Sequence, residues 1–569
     1  MTANTSSTPV RLRSFARRIP AVLVSVAVVG GLAAFAGHRS DEDFTGFRPG
    51  NLVVSRSVYD DRAANVAIGT VLPPNCATTS GGCSAPSGAP ADGTYPTVWN
   101  NNQYDGSFGL TSTIVLDQLT PAGRYVSSLE VPNAPATRDH LVTSFSSKSE
   151  LALNLSTDGR YLTFMGYVAS IDAIDLSNAN TPLVVDPTNP VGETVYRAVA
   201  IVDPAGHFRF TKTNAYSGNN GRAAILHNRD GADVIYTAGN AGNGANPQPT
   251  GILLGAGTQI LTPSDRPERE QTPGLPTPLA SFSITLLGAK ADKVGKDDNF
   301  RGLTIFNNVL YYSKGSGGNG VNTVYFADVT GKACPKGVGV PSGAATLPTS
   351  PLVYNSATLA DSGLPSNMCI LAGFPSTPNN KAKVLAFPFG IWFANATTVY
   401  VADEGDGYAG GTDLYTHAAA QTTAGLEKWV FNAATQTWGL AYTLQTGLLL
   451  GVPYTIPGYP TGNNTGLKTP LPWAPATDGL RNITGRVNRD GTATIWGITS
   501  TISGNGDQGA DPNRLVVVRD VLSNGDPSVA AGEEFHTVRT ARSREVLRGV
   551  SLTPGTDTAE ARERGTDNR

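Results

Sequence analysis

Alternating apolar and polar positions dominate the chain and recur as matched hairpins. A short alternating strand, a turn built on Asp, Asn or Gly, and a second strand rich in aromatic and β-branched residues begin at Glu150 (ELALNLSTDGRYLTFMGY), Gly221 (GRAAILHNRDGADVIYTAG) and Phe300 (FRGLTIFNNVLYYSKG). They begin again at Pro388 (PFGIWFANATTVYVADEG) and Leu480 (LRNITGRVNRDGTATIWGIT), and Leu547 opens a sixth first strand, LRGVSLTP. The intervals between starts are 71, 79, 88, 92 and 67 residues, too long for one hairpin and suited to a four-stranded sheet with its loops. Between these units lie alternating segments of a second class. Tyr196 to Thr213 and Leu426 to Leu444 are full hairpins, and Gly251 to Leu261, Asn322 to Asp328 and Arg514 to Val521 are shorter. Each is expected to supply the outer strands of one sheet.

The two ends complete the count. Asn51 to Arg56 (NLVVSR) and Ser112 to Val131 are outer-type strands without an inner partner, whereas Leu547 to Pro554 is an inner strand without an outer hairpin. Together they predict one shared sheet that closes a ring and leaves no free edge at the seam. The expected fold class is all-β, a six-bladed β-propeller, with seven blades as the alternative if the insertion at 332–383 conceals one. Residues 60–111, 332–383 and 445–478, rich in Pro, Gly, Ser, Thr and Asn, are expected to be loops on the propeller faces. Little helix is expected, because sustained 3.6-residue periodicity is lacking.

Composition narrows the class further. With 64 Gly and 39 Pro in 569 residues, a helical bundle is excluded. Charged residues are only 15 %, against roughly 25 % in an average soluble domain, which suits an extracellular surface. A net charge of −3 gives no basic face for nucleic acid. Arg11, Arg13, Arg17 and Arg18 precede the apolar run Ile19 to Ala36, which ends in Ala34-Phe35-Ala36. That pattern predicts a secretory signal over residues 1–36, cleaved after Ala36, with an uncleaved anchor as the alternative. A propeller domain would then span 37–554 with no membrane contact after cleavage, and the charged segment 555–569 would be a disordered tail. The four cysteines pair by insertion, Cys76 with Cys83 and Cys334 with Cys369; two loop-closing disulfides are expected, and no zinc.

The series NLVVSR, STDGRYLTFMGY, YSGNNGRAA, TVYVADEG followed by LEKWVF, NRLVVV and the closing LRGVSLTP resembles a family of secreted, mainly bacterial YVTN/NHL-like β-propeller proteins. The resemblance spans nearly all of residues 47–554. It implies secretion and a propeller, and it brings no reaction and no catalytic residues.

Aligning the repeats singles out one constellation. Arg222, Arg301, Arg481 and Arg548 share a position at the start of the innermost strand in four of the six units. Inner strands line a propeller's channel, so four guanidinium groups would converge on one mouth and could bind a carboxylate, phosphate or sulfate. The competing reading pairs each arginine with a nearby acid, for which Asp297, Asp298 and Asp478 are close in sequence. A second cluster, Asp403, Glu404, Asp406 and Asp413 in a Gly-rich turn, offers hard oxygen ligands for calcium without EF-hand spacing; a solvated acidic turn is the alternative. None of the six His stands in a recognisable catalytic frame. The tryptophans lie mostly at strand positions, where packing competes with a sugar-stacking platform.

The expected function is therefore a secreted or cell-surface propeller that binds an extracellular ligand, polymer or protein partner at one face, with an anionic ligand favoured by the arginines. A propeller hydrolase or lyase with a channel metal is the alternative, and a structural surface protein is the third reading.

Overall fold

The computed structural model describes residues 44–556 apart from 73–88, 92–109, 135–139, 145–149, 175, 186–188, 190, 242–254, 256, 264–277, 281–298, 316–320, 344, 351–366, 378–385, 409, 465–470, 505–508 and 510. The described residues belong to one compact unit. Six antiparallel sheets of four or more strands stand side by side in a ring. From the axis outward, blade I consists of Glu545–Leu552, Leu52–Val58, Thr111–Leu119 and Tyr125–Glu130. Blade II is Asn154–Leu155, Leu162–Tyr167, Arg197–Val202 and Phe208–Thr213; blade III is Gly221–His227, Val234–Gly239, Gly257–Leu261 and Pro278–Ala280. Blade IV is Phe300–Phe306, Val309–Lys314, Thr323–Ala327 and Met368–Leu371, with Val338–Gly339 added in parallel at its rim. Blade V is Pro388–Asn395, Thr398–Asp403, Gly425–Asn432 and Thr437–Leu444, and blade VI is Ala476–Val487, Thr492–Ile502, Arg514–Val521 and His536–Thr540. The innermost strands neighbour one another all the way round.

Period-two alternation explains where the core lies. Successive side chains leave a strand on opposite faces, so each blade feeds two interfaces. Val53 packs with Leu162 and Phe164 of blade II, whereas its neighbours Leu52 and Val54 pack with Trp496 and Ile498 of blade VI. The same division builds a separate apolar layer at each of the other four boundaries. Each fully buried aliphatic or aromatic side chain there contributes about 1.5–3 kcal/mol, so stability is spread around the ring and the axis stays free for polar groups. Polar ties reinforce the layers. Ser55 donates to the Leu151 carbonyl at 2.8 Å and Thr163 to the Ala224 carbonyl at 2.7 Å. Lys428 of blade V, wholly buried, reaches Asp520 of blade VI at 2.8 Å.

The seam is the one expected: Leu52–Val58 pairs antiparallel with the C-terminal strand, from Leu52↔Leu552 to Val58↔Glu545. Arg56 fastens it through Asp117 at 2.7 Å and Glu545 at 2.8 Å. The described part of the 332–383 insertion does not form a seventh blade. It supplies the outer strand Met368–Leu371 and the rim strand Val338–Gly339, and the expected Cys334–Cys369 disulfide holds this region together. Cys76 and Cys83 lie outside the described residues. Helix is confined among the described residues to Leu414–Ala419, Pro527–Ala530 and two 3₁₀ turns, and none of it is long and apolar enough to cross a membrane. Of the segment 555–569 expected as a tail, two residues are described: the Gly555 N–H donates to the Gly159 carbonyl and the Thr556 hydroxyl accepts from the Gly50 N–H; residues 557–569 lie outside the described residues.

Candidate functional site

Five of the six inner strands carry an irregularity in their pairing. Pairing with the second strand skips Arg548 in blade I, Arg222 in blade III, Arg301 and Gly302 in blade IV, Phe389 and Gly390 in blade V, and Arg481 and Asn482 in blade VI. These are β-bulges, which bend a strand and re-aim the side chain of the extra residue. The four arginines singled out in the sequence are thus the bulged residues of their blades. Blade V presents Phe389 at this position, and blade II presents Leu151 with a φ of 62°. The equivalence is visible in one repeated bond, since Ser313 donates to the Phe389 carbonyl as Ser55 does to that of Leu151.

The bulges mark one face. Antiparallel pairing places the start of each inner strand beside the end of the second, as in Phe300↔Lys314 and Pro388↔Asp403. That face therefore also bears the connections from second to third strand, including the long ones at 59–110, 168–196 and 404–424.

The arginines are almost closed off from solvent, with 5 % exposure at Arg222, 8 % at Arg301, 4 % at Arg481 and 3 % at Arg548. Two of them, Arg301 and Arg481, share Glu404 as counter-ion, an acid outside the three suggested by sequence proximity. Its Oε1 lies 2.9 Å from Arg301 Nη1 and its Oε2 lies 3.2 Å from Arg481 Nε. Of those three, Asp297 and Asp298 lie outside the described residues, and Asp478 accepts from the Gly407 N–H and from Gln421 Nε2. Glu404 is held in place because its carbonyl accepts from Ser500 Oγ and the chain turns sharply at Gly405, whose φ is 80° and whose missing Cβ makes room for Asp478. Arg548 is oriented by Ser57 Oγ at 3.0 Å and by the Tyr59 hydroxyl.

Arg222 is different. Its Nε donates to Asn220 Oδ1 at 2.9 Å and its Nη1 to the Phe300 carbonyl at 3.3 Å, and among the described residues no carboxylate lies within ion-pair distance of it. Burial first, and then repulsion from Arg301, push its guanidinium down to about 9, against weaker support from Glu404, Tyr167 and Glu150. Arg481 is lowered as well, by burial and by Arg548 and Arg301, with Glu404 opposing. The charges therefore crowd one another.

Blade II adds groups that sequence reasoning missed. Glu150, wholly buried, accepts from the Tyr167 hydroxyl, from Thr143 Oγ1 at 2.7 Å and from the Ser144 N–H at 3.0 Å; burial raises its carboxyl above the ordinary range, with those donors and Arg548 opposing. Arg197 lies 4.9 Å from the Tyr167 ring centroid and donates to the carbonyls of Asn219, Val195 and Ala179. A signal was present: Glu150 begins the one repeat unit besides blade V that lacks an arginine at the shared position.

The four acids assigned to calcium each take partners within the protein. Glu404 faces the arginines, Asp403 accepts from the Phe387 and Gly405 N–H groups, Asp406 accepts from His417 at 2.6 Å, and Asp413 from the Tyr408 hydroxyl at 3.0 Å. Among the described residues no three His, Cys, Asp or Glu side chains stand together in a way that could hold a metal ion. Trp429, Trp438 and Trp496 are buried in the layers between blades.

No family model matches the chain, and no curated protein matches it. Among solved structures, the chain is similar to a Bacteroides uniformis protein provisionally named a 6-phosphogluconolactonase, at 8 % identity over 78 % of this chain and 81 % of that one, with a TM-score of 0.32. It is also similar to a polysaccharide lyase of family 25, an ulvan lyase bound to a glucuronate–sulfated rhamnose unit, at 9 % identity over 85 % and 95 % of the two chains, with a TM-score of 0.30. Likeness at this level carries no functional argument, so the chain is placed by its own architecture, a six-bladed β-propeller with an arginine-lined mouth.

Proposed function

We propose that the protein is an exported propeller that binds an anionic ligand at the channel mouth formed by Arg222, Arg301, Arg481 and Arg548. The observation that carries this reading is Arg222, a buried guanidinium with no carboxylate at ion-pair distance among the described residues and with Arg301 as a repelling neighbour. Leaving a charge buried and uncompensated is costly, and an external anion removes that cost. The bulges support the reading, because they occur where a strand must present a side chain out of register, commonly beside functional sites. The Cys334–Cys369 disulfide fits an oxidising compartment outside the cytoplasm.

A ligand that binds only the folded chain raises its stability by mass action, by about 2.7 kcal/mol at a hundred times its dissociation constant. Titrating the full-length protein with sulfate, phosphate and acetate against chloride at matched ionic strength should therefore raise the melting temperature for at least one of the three. Arg222→Gln should abolish that rise. Equal melting temperatures in all four salts would reject the proposal.

A further inference from the structure

Directly paired residues form one row across blade V: Tyr400 pairs with Lys428, and Lys428 pairs with Tyr442. All of them reach Asp520 on the third strand of blade VI. The Lys428 and Asp520 side chains keep no exposure to solvent, and the apolar layer around them includes Val518, Ala530 and Phe535. Enclosing a lysine and an aspartate in this way carries a desolvation cost, which disappears if the charges do.

The amine is held for reaction. Nζ carries three protons and faces four acceptors, Asp520 Oδ2 at 2.8 Å, the Tyr442 hydroxyl at 2.9 Å, and the carbonyls of Val521 and Asn524, each at 2.8 Å. In a site closed to water, passing one proton from the ammonium to the carboxylate removes both charges. The two carbonyls then occupy the two N–H bonds that remain, and the lone pair is left on the side of the carboxyl group. That carboxyl group is polarised in turn, since the Tyr400 hydroxyl donates to Oδ2 and the Tyr442 hydroxyl donates to Oδ1 at 2.5 Å. A second acid stands against it. Glu533 accepts from the Val521 N–H at 3.0 Å, and burial with a hydrogen bond to Asp520 raises it to about 7, so it carries a proton below that pH.

We propose that Lys428 and Asp520 condense to an amide, a covalent tie between blades V and VI that the chain forms by itself. Nζ attacks Cγ of Asp520 in its acid form; the C–N bond forms, the C–OH bond breaks, and one water leaves. Glu533 gives its proton to the departing hydroxyl and takes one from the attacking nitrogen, so it ends as it began and no co-reactant is consumed. The two tyrosine hydroxyls stabilise the negative charge that develops on the Asp520 oxygen. Holding the amine in contact with the carboxyl group supplies the proximity that such a reaction needs, and exclusion of water removes the reagent that would reverse it.

The test is a peptide map of the full-length protein, reduced, denatured, digested with trypsin and read by mass spectrometry. A lysine in amide linkage resists trypsin, so Lys428 should stay uncut. Its peptide should be joined to the one that begins at Asp520, lighter by one water than the two apart. Lys428→Arg, which keeps the charge but has no primary amine, should release the two peptides separately. Glu533→Gln should do the same, and because this half-buried side chain is exchanged for a neutral one of the same shape, it secures the result if Lys428→Arg folds poorly. Cleavage at Lys428 with a free Asp520 peptide in the folded, unmodified chain overturns the proposal. The branched peptide at full yield in Glu533→Gln overturns the proton transfer assigned to Glu533.

Discussion

Glu404 shows how a single side chain can be misjudged from its neighbours in sequence. Set among Asp403, Asp406 and Asp413 in a Gly-rich turn, it has the character of a metal ligand. In space it leaves that turn and becomes the counter-ion of Arg301 and Arg481. Breaking a buried ion pair by removing one partner costs about 3 kcal/mol or more, because the other charge stays buried. Glu404→Gln is therefore expected to lower the unfolding free energy by about 3 kcal/mol in urea titrations, and added acetate should restore part of the loss. Replacing Arg301 and Arg481 together is also destabilising, since it strands Glu404. Arg222, which has no such partner among the described residues, is the cleaner probe of binding. The arginines were readable because a repeat exposes equivalent positions. Their counter-ion was not, because pairing across blades joins residues 77 and more apart in sequence.

At the scale of the strand, the inner bulges also set how closely neighbouring blades approach. A Cβ on Gly302 would lie 1.9 Å from the Phe389 carbonyl oxygen, and one on Gly549 would lie 2.2 Å from that of Leu151. Backbone cannot yield as a flexible side chain does. Gly302→Ala should consequently cost about 2 kcal/mol or more through overpacking. Gly439→Ala, on the outer strand of blade V with only one atom within 4 Å of the added Cβ, should stay within about 0.5 kcal/mol; equal losses at both sites would refute the close-contact argument. The strands, their order and the seam were readable because alternation and turn chemistry are local. The bulges were not, because an extra residue in a strand leaves the apolar pattern intact and appears only when the partner's register is known. The outer strand Met368–Leu371 was hidden for a related reason: four residues inside a Pro/Gly-rich insertion are too few to show a period.

Over the whole molecule, buried acids give stability a definite dependence on pH. Burial pushes Asp403 up to about 7 and Glu427 up to about 8, each raised further by a neighbouring acid, and burial with a hydrogen bond to Asp520 puts Glu533 at about 7. A carboxyl with a raised value in the folded chain holds its proton more tightly there than when unfolded. The stability it lends is complete below the unfolded value and is lost as pH rises through the folded one. On the acid side Asp117 acts in the opposite sense: burial alone would raise it, but Arg56 and Arg539 outweigh burial and lower it, so its contribution fades as pH falls below about 4. The melting temperature should therefore peak near pH about 5 and decline towards about 8, and Glu427→Gln should flatten the alkaline limb; a melting temperature that climbs between those values would contradict the assignment. Blade I carries a different consequence. Blades II to VI each use one continuous stretch of chain, but blade I waits for Glu545–Leu552 to meet Leu52–Val58. Arg548 arrives on that last strand. Five blades can stand as an open horseshoe, yet the mouth gains Arg548 only when the clasp shuts, so the site exists only in a closed ring.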